Sequence, residues 1–416
     1  MRTLFLFIIF SIGITLPSLS AVENDSLHTE ITIAENQLKL RPYALNGYWE
    51  FYPNELIGSE EMENHSAKTV TKVPYWWVDE SGKRSIQFAT YRLKVIVAKA
   101  YNRTALALSV PEVYCSYDIW VNGKKLGQNG SVAQTKAATK PQWKPSTYSF
   151  ATKGDTIEII LHLSNFYHHR TGIGQPILLG FADQLIGHKN NIETANILLL
   201  VGISCLVLVG IIYYVRLKKT AFLFYVLLCL SWMFRSTFSN HYQIVQWFPD
   251  INWYLCTRVE YISIYLSTLF GSLLVGTLFP RDVNKTFRRF FIIACLGFTA
   301  FTLIAPPILF TSFVQLYLGL SSILLLSILV IVIKAYVQSR HGAGLLLLTA
   351  FFAVSSFGYV ILAYQGLIEL NELIFNMVFL IQFILTLATV IRRVNKMDTT
   401  KDYDLITFDD MTRSIK

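Results

Sequence analysis

The chain has 416 residues, of which 53% are hydrophobic and only 15% are charged, and its formal net charge is +9. Soluble globular chains carry about 25% charged residues, so this composition argues against an ordinary soluble enzyme and is typical of a membrane protein. The basic balance would suit nucleic acid, but the positions of the charges, described below, favour a membrane surface.

The first twenty residues have the pattern of a signal peptide. Arg2 precedes an apolar run over residues 4–14, and Ser18 and Ser20 suit cleavage before Ala21. The run is shorter than the ~20 residues that cross a bilayer. We therefore predict a signal peptide at 1–20 and export of the segment that follows. An uncleaved N-terminal anchor is the alternative, and it predicts the same export.

Residues 21–190 are predicted to form a β domain. Apolar residues recur at every second position in TALALSV, TYRLKVIVA and DTIEIILHLSN, which is typical of strands with one buried face. Asn122-Gly123 predicts a tight hairpin between two of these strands. Cys115 is the one cysteine outside the apolar stretches of the second half, so we expect no intrachain disulfide in this domain.

Five ordered segments cover most of residues 45–180: LNGYWEFYPNEL, VPYWW, FATYRLKV, IWVNGKKLGQNG and LHLSNFYHHRTGIGQPILLG. In this order they resemble the extracellular jelly-roll domain of bacterial seven-transmembrane receptors with diverse intracellular signalling modules. TYRL followed by WVNGKKLG is also similar to the non-catalytic galactose-binding-like domain of some glycoside hydrolases. The resemblance implies a β-sandwich (jelly roll) that takes a small-molecule or carbohydrate-like ligand.

Aromatic faces and hydrogen-bonding groups mark a candidate ligand site in this domain. Such faces with a few polar groups suit a small polar or sugar-like ligand. The candidates are Trp76, Trp77, Trp120, Trp143, Asn165, His168, His169 and Arg170. The alternatives are a core role for the tryptophans and an exposed loop for the His168–Arg170 run.

The pattern predicts no catalytic residue, no metal site and no cofactor. A glycosidase needs two carboxyl groups facing one cleft. The acidic residues of the β domain are instead scattered: Glu50, Glu55, Glu112, Asp118 and Glu158. His162, His168 and His169 could be proposed as metal ligands, but adjacent histidines usually point apart, so a solvated loop is favoured.

The second half predicts a domain at 191–394 that crosses a membrane seven times. Each apolar segment is near the length that a bilayer requires. The segments are 195–215, 221–238, 254–279, 290–305, 312–332, 344–363 and 373–391. The whole chain is thus expected to be an α+β multidomain membrane protein, and seven spans after an exported jelly roll extend the resemblance over nearly its full length.

Charge predicts the orientation. Lys and Arg occur after the first, third, fifth and seventh segments, whereas the loops SNHYQIVQWFPDINW, PPILFT and YQGLIELNE contain neither. Positive loops stay in the cytoplasm. We therefore expect a multi-pass protein of the cell inner membrane, with the β domain periplasmic or extracellular and the C-terminus cytoplasmic. Basic loops at an anionic leaflet explain the net charge without nucleic acid.

Three charged residues lie near the outer ends of the second and third segments: Arg235, Arg258 and Glu260. Charge within a bilayer is costly, so it tends to be paired or functional. Arg258 and Glu260 are two positions apart on a helix and point in different directions. One of them could meet Arg235 or the β domain; alternatively, both reach the headgroup region.

Residues 395–416 are expected to form a short cytoplasmic tail. Diguanylate cyclase modules begin near a D-x-L-T-G-L-x-N-R run, and Asp409, Met411 and Thr412 match it in register, whereas Arg413 replaces the glycine. Such a tail offers no output enzyme, so we expect a non-enzymatic sensory receptor that relays a signal to a diguanylate cyclase or histidine kinase in trans. The alternatives are the N-terminal part of a truncated diguanylate cyclase receptor, and a transporter or membrane-bound carbohydrate-processing protein.

The charge pattern makes a topology prediction. A reporter that is active only in the periplasm should work when inserted near Gly154, and one that is active only in the cytoplasm should work when fused after Lys416. Periplasmic activity from the fusion after Lys416 would rule out seven spans in this orientation.

Overall fold

The computed structural model describes residues 29–62, 65, 69–77, 86–142, 144–239, 241–280, 282–340, 342–364 and 371–400. The predicted signal peptide, Trp143 and tail residues 401–416 lie outside the described residues. The described part divides into a β region and a helical region, as the composition of the two halves predicts.

The strands are short and lie between residues 30 and 181. In chain order they are β1 (Glu30–Ile33), β2 (Tyr43–Ala44), β3 (Gly47–Pro53), β4 (Thr69–Val73), β5 (Tyr75–Trp76), β6 (Phe88–Val97), β7 (Ala105–Val110), β8 (Ser116–Val121), β9 (Lys124–Asn129), β10 (Ser146–Ala151), β11 (Thr156–Ser164), β12 (Gly172–Ile173) and β13 (Leu178–Phe181). Two short helices accompany them, α1 (Glu35–Leu40) and α2 (Ser59–Met62).

Two sheets face each other across one hydrophobic core, so the region is a β-sandwich, as predicted. The larger sheet has the order β4-β3-β6-β11-β8-β9, with β1 parallel to β6, and the smaller has the order β10-β7-β13-β2. Alternate residues of the paired strands β6 and β11, such as Leu93 and Ile159, are fully buried between the sheets. The two-residue periodicity of the sequence therefore marks the buried face.

The hairpin predicted at Asn122-Gly123 is confirmed. It joins β8 to β9, and both residues have positive φ angles, 48° for Asn122 and 75° for Gly123. Asparagine and glycine adopt this conformation at little cost, which is why the pair favours a two-residue turn.

Seven long helices follow in the part of the chain that the structure describes. They are α3 (Ala182–Leu217), α4 (Thr220–Phe238), α6 (Trp253–Leu278), α7 (Lys285–Ile304), α9 (Val314–Val337), α10 (Ala343–Tyr364) and α11 (Glu372–Thr400), with the short helices α5 (Gln243–Trp247) and α8 (Pro307–Ser312) between them. Within the described ranges, six of the seven are long and apolar enough to cross a membrane; the other, α10, has 22 residues and an apolar described part at Ala343–Ser356.

The β-sandwich contacts one end of this bundle, which we call the near end; the opposite end is the far end. α3 begins at Ala182, immediately after β13, and Ala182 and Leu185 pack against Ala107 of β7. The predicted apolar segment starts thirteen residues later, because hydropathy detects only the apolar part of the helix. The first membrane helix is thus continuous with the sandwich, while the domain bounds 21–190 and 191–394 remain predictions.

The core makes a stability prediction for the β-sandwich. Trp49 is fully buried, and its indole Nε1 donates a hydrogen bond to the Leu45 carbonyl at 3.1 Å. Trp49→Phe removes that donor and leaves a void, so we expect a loss of roughly 1–3 kcal/mol in unfolding free energy. Chemical denaturation of a secreted 22–185 fragment measures it. Trp120→Phe, a change at a half-buried site on the outer face of the same sheet, is the matched control and should cost about 0.5 kcal/mol or less.

Candidate functional site

The structure places the predicted ligand-site residues in three separate locations. Trp77 is buried in the sandwich core, where its indole donates to the Tyr91 hydroxyl and stacks on that ring. Trp120 lies on the outer face of the larger sheet, 4.3 Å from the His162 ring between ring centroids. The other described candidates, Trp76 and the loop from Asn165 to Arg170, lie where the sandwich meets the near ends of the helices.

Asn165 shapes this loop from within. Its side chain is fully buried, and its Oδ1 accepts hydrogen bonds from the backbone N–H groups of Tyr167 at 3.1 Å and His168 at 2.9 Å. Its Nδ2 donates to the carbonyl of Arg170 at 2.5 Å and to the Thr171 hydroxyl at 3.0 Å. Because the amide uses both donors and an acceptor inside the loop, Asn165 positions its neighbours and its amide turns inward, away from a ligand.

The expectation of an exposed loop is wrong for His168. This side chain is only 1% exposed, whereas the next residue, His169, is exposed. The His168 Nδ1 accepts the backbone N–H of Arg170 at 3.1 Å, and its Nε2 lies 3.1 Å from the Tyr261 hydroxyl of α6. The ring also stacks on Tyr114, with centroids 4.3 Å apart. His168 therefore joins the sandwich to the bundle.

Two carboxyl groups meet at the same boundary. The Tyr242 hydroxyl donates to the Glu112 carboxyl of the sandwich and lies 3.4 Å from the carboxyl of Glu260 on α6. Arg235 of α4 approaches the same Glu260 carboxyl at 3.6 Å and donates to the Glu260 carbonyl at 3.3 Å. One tyrosine thus bridges acidic groups from the two halves of the chain.

Arg170 adds a second cation from the sandwich side. Its guanidinium lies over the Trp76 ring, 5.5 Å from the centroid, and Trp76 in turn contacts Tyr114. Burial raises the pKa of Glu112 above its ordinary value, while hydrogen bonds from tyrosine and the charges of Arg170 and Arg235 act in the opposite direction. The contact is therefore electrostatically balanced only when residues from both halves are present.

We refer to these eight side chains as the junction cluster: Glu112, Tyr114, His168, Arg170, Arg235, Tyr242, Glu260 and Tyr261. An apolar layer surrounds it and includes Cys115, Phe238, Val245, Trp253 and Cys256. At its edge, the backbone N–H of His169 donates to the Thr311 hydroxyl of α8 at 3.1 Å.

Of the three charged residues predicted within the membrane segments, two belong to the cluster and one does not. Arg235 and Glu260 pair with each other, whereas Arg258 donates to the carbonyls of Thr302 at 3.2 Å and Ala305 at 3.4 Å. Those carbonyls end α7, so Arg258 caps a helix C-terminus, where a cation is favourable. Arg258 and Glu260 point to different partners, in keeping with their spacing on the helix.

Sequence reasoning missed half of the cluster. The missed residues come from three places: Glu112 and Tyr114 from the connection between β7 and β8, Tyr242 from the loop before α5, and Tyr261 from α6. Their spacing along the chain shows no pattern. Tyr242 lies in the loop SNHYQIVQWFPDINW, whose lack of Lys and Arg indicates the topology but not a contact with the β domain. Its positive φ of 45°, unusual for a bulky residue, appears only in the structure.

Comparison with known families identifies the helical region. Residues 192–391 match the model of a family described as 7TM diverse intracellular signalling. These residues therefore form a membrane domain of that family, which is the domain of a membrane sensory receptor. No curated protein matches the chain significantly.

Glycosidases are among the solved structures similar to the chain. They include a β-glucuronidase from an uncultured Clostridium species (16% identity, TM-score 0.26, covering 33% of this chain and 28% of that chain). Another is a Faecalibacterium prausnitzii β-glucuronidase (14% identity, TM-score 0.27, covering 33% of this chain and 31% of that chain). A third is a putative β-galactosidase from Bacteroides fragilis (17% identity, TM-score 0.25, covering 33% of this chain and 23% of that chain). The chain spans less than a third of the length of these enzymes.

The raised pKa of Glu112 makes a pH prediction. An unfolded Glu112 titrates near 4.5, whereas the native carboxyl keeps its proton to higher pH. Its contribution to stability is therefore full below pH 4.5 and is lost as the pH rises through the raised native value. The unfolding temperature of the detergent-solubilised full chain should fall less steeply with pH, between 4.5 and 7, in Glu112→Gln than in the wild type.

Asp118→Asn is the control for this measurement, because Asp118 pairs with Lys125 at 2.8 Å on the outer face of the sheet, away from the junction cluster. Its pH profile should match that of the wild type more closely than the profile of Glu112→Gln does. Identical profiles for the wild type and Glu112→Gln would show that this carboxyl is not buried at a domain contact.

Proposed function

We propose that the protein is a sensory receptor of the cell inner membrane whose exported β-sandwich binds a ligand and passes a change of conformation through the helices to a cytoplasmic partner. The family of residues 192–391 supports a sensory role. The observation that carries the relay is the junction cluster, in which Glu112 and His168 of the sandwich contact Tyr242 and Tyr261 of the helical region.

The distribution of charge supports the orientation. Basic residues gather at the far ends of the helices: Arg216, Lys218, Lys219, Lys285, Arg288, Arg289, Lys334, Arg340, Arg392 and Arg393. The near-end loops predicted from the sequence contain neither Lys nor Arg. Basic loops remain in the cytoplasm, so the sandwich is external in this proposal.

The relay is a change in population between two arrangements of the bundle. A ligand shifts such an equilibrium only if it binds one arrangement more tightly than the other. The loop from Asn165 to Arg170 is suited to such a ligand, because it supplies His168 and Arg170 to the junction cluster and also presents the exposed His169 at its edge. A ligand held at this edge would move residues that contact the helices.

The ligand in this proposal is a small polar or carbohydrate-like molecule. Tyr75 is 49% exposed and precedes Trp76, whose ring already carries the Arg170 guanidinium. The strand β5, which carries Tyr75 and Trp76, pairs with β12, which begins three residues after His169, so these flat faces and hydrogen-bonding groups lie on neighbouring segments of the sandwich. Such groups recognise sugar-like molecules.

The cytoplasmic partner is a signalling enzyme, a diguanylate cyclase or a histidine kinase acting in trans, and the chain itself is not an enzyme in this proposal. The family model supports an intracellular signalling partner. The alternative of a truncated diguanylate cyclase receptor shares the same relay. A transporter would place its polar residues near mid-membrane, whereas Arg235 and Glu260 lie near the sandwich, Glu260 being about 10 Å along α6 from its near end.

Ligand binding is tested on the full chain in lipid nanodiscs, by thermal-shift screening against neutral monosaccharides and uronates. A ligand should raise the unfolding temperature of the wild type, and the double variant Tyr75→Ala/His169→Ala should reduce affinity at least tenfold with little change in stability without ligand. Trp120→Ala is the control, because this tryptophan lies on another face of the sandwich. Affinity lost in Trp120→Ala but retained in the double variant would move the site away from the junction edge.

A further inference from the structure

Three consecutive residues between α4 and α6 contact four different parts of the protein, namely α11, the sandwich, α6 and α3. The His241 Nε2 lies 3.1 Å from the Glu372 carboxyl, at the first residue of the last helix, α11. Tyr242 bridges Glu112 of the sandwich and Glu260 of α6, and Gln243 accepts a hydrogen bond from Asn196 of α3. We call residues 241–243 the coupling segment.

The coupling segment is held in place from within. Tyr242 and Gln243 are only 1% and 2% exposed, and the Asn196 side chain that meets Gln243 also contacts Ser236 of α4. The backbone at Tyr242 is left-handed, with φ 45° and ψ 51°. That conformation costs free energy for a residue with a Cβ, so it persists only where the surrounding contacts determine it.

The left-handed turn explains how neighbouring residues reach different elements. In a regular helix or strand, side chains would follow one periodic set of directions. The reversal at Tyr242 lets His241 meet α11 while Tyr242 enters the junction cluster. The side chain that senses the sandwich and the side chain that contacts the last helix are therefore joined by one peptide bond.

The last helix leads to the cytoplasmic side and has a second anchor there. At the far end, Arg393 of α11 donates from Nε to the Leu278 carbonyl of α6 at 3.3 Å, and its guanidinium lies over Phe279, 5.2 Å from the ring centroid. A tilt or shift of α11 at Glu372 would thus change its contact with α6 at the opposite end.

We propose that the coupling segment links docking of the sandwich to the position of α11, with Tyr242 and His241 as positioning residues. This inference rests on the proposed relay and identifies the route of the signal. Loss of the Tyr242–Glu112 contact frees the left-handed turn, the turn releases His241 from Glu372, and α11 shifts relative to α3.

The test measures the distance between spin labels at the far ends of α3 and α11 by pulsed electron resonance. Labels are placed at the exposed positions Arg216 and Arg392 as Arg216→Cys and Arg392→Cys. Cys205 is exposed and is replaced by Cys205→Ser, whereas Cys115, Cys229, Cys256 and Cys295 are buried. The full chain is studied in nanodiscs of phosphatidylethanolamine and phosphatidylglycerol.

Tyr242→Phe keeps the ring and removes the bridging hydroxyl, and Glu112→Gln changes the partner of the same contact. Each should displace the mean distance by about 2 Å or create a second population, because shifts of helices in switching proteins have this size. The double variant should give the same distance distribution as each single variant, because both substitutions remove the same Tyr242–Glu112 contact. Asp118→Asn should leave the distribution unchanged, and the unfolding temperatures of the variants should show that they are folded.

His241→Ala distinguishes the inference from the relay on which it rests. In this background Glu112→Gln should cause no further change, because α11 is already disconnected. A shift that persists in His241→Ala would overturn the role of the coupling segment and leave the relay intact, with α6 and Arg393 as its route. If neither Glu112→Gln nor Tyr242→Phe alters the distance, the relay through the junction cluster is wrong, and the inference fails with it.

Discussion

The contact on which the arrangement depends is the bridge of Tyr242 between Glu112 and Glu260, with Arg235 and Arg170 beside it. Removing carboxyl groups from water is costly unless cations and hydrogen-bond donors replace the solvent. Here the sandwich supplies one acid and one arginine, and the helices supply the other acid and the other arginine. Each half therefore completes a site that would be electrostatically poor alone.

This shared site attaches the β-sandwich firmly to the helical bundle. The first membrane helix begins where β13 ends, and its first turn packs on β7. His168 and the backbone of His169 reach two further elements, α6 and α8. A rigid sandwich that is attached at several points transmits a displacement as a whole, whereas a sandwich on a flexible linker would move independently of the helices.

Ion pairs also hold the far ends of the helices together. Asp282, whose side chain is 2% exposed, pairs with Arg340 at 2.5 Å and Lys334 at 3.7 Å. The loop between α6 and α7 is thereby joined to the end of α9 and the turn that follows it. Together with the contact of Arg393 of α11 with α6, these pairs join the cytoplasmic ends of the helices in the proposed orientation, and this is where a partner would detect a change.

Some features were predictable because they depend on neighbours in the sequence. The two-residue periodicity of β6 and β11, the Asn122-Gly123 turn and the length of the apolar segments each follow from local rules of backbone geometry and solvation. The candidate site was only partly predictable. Residue type singled out His168 and Arg170, but it grouped them with Trp77 and Trp120, which the structure places in the core and on another face.

The sequence by itself determined that a β-sandwich precedes a set of membrane helices, because periodicity and hydropathy are properties of short stretches of chain. Only the tertiary structure decided that Glu112 meets Tyr242, 130 positions away, and that His168 meets Tyr261 across 93 positions. Pairings of this kind depend on how two separately formed units dock. The free energy that selects them comes from burying charge and apolar surface between the units, and no periodic pattern in either unit records it.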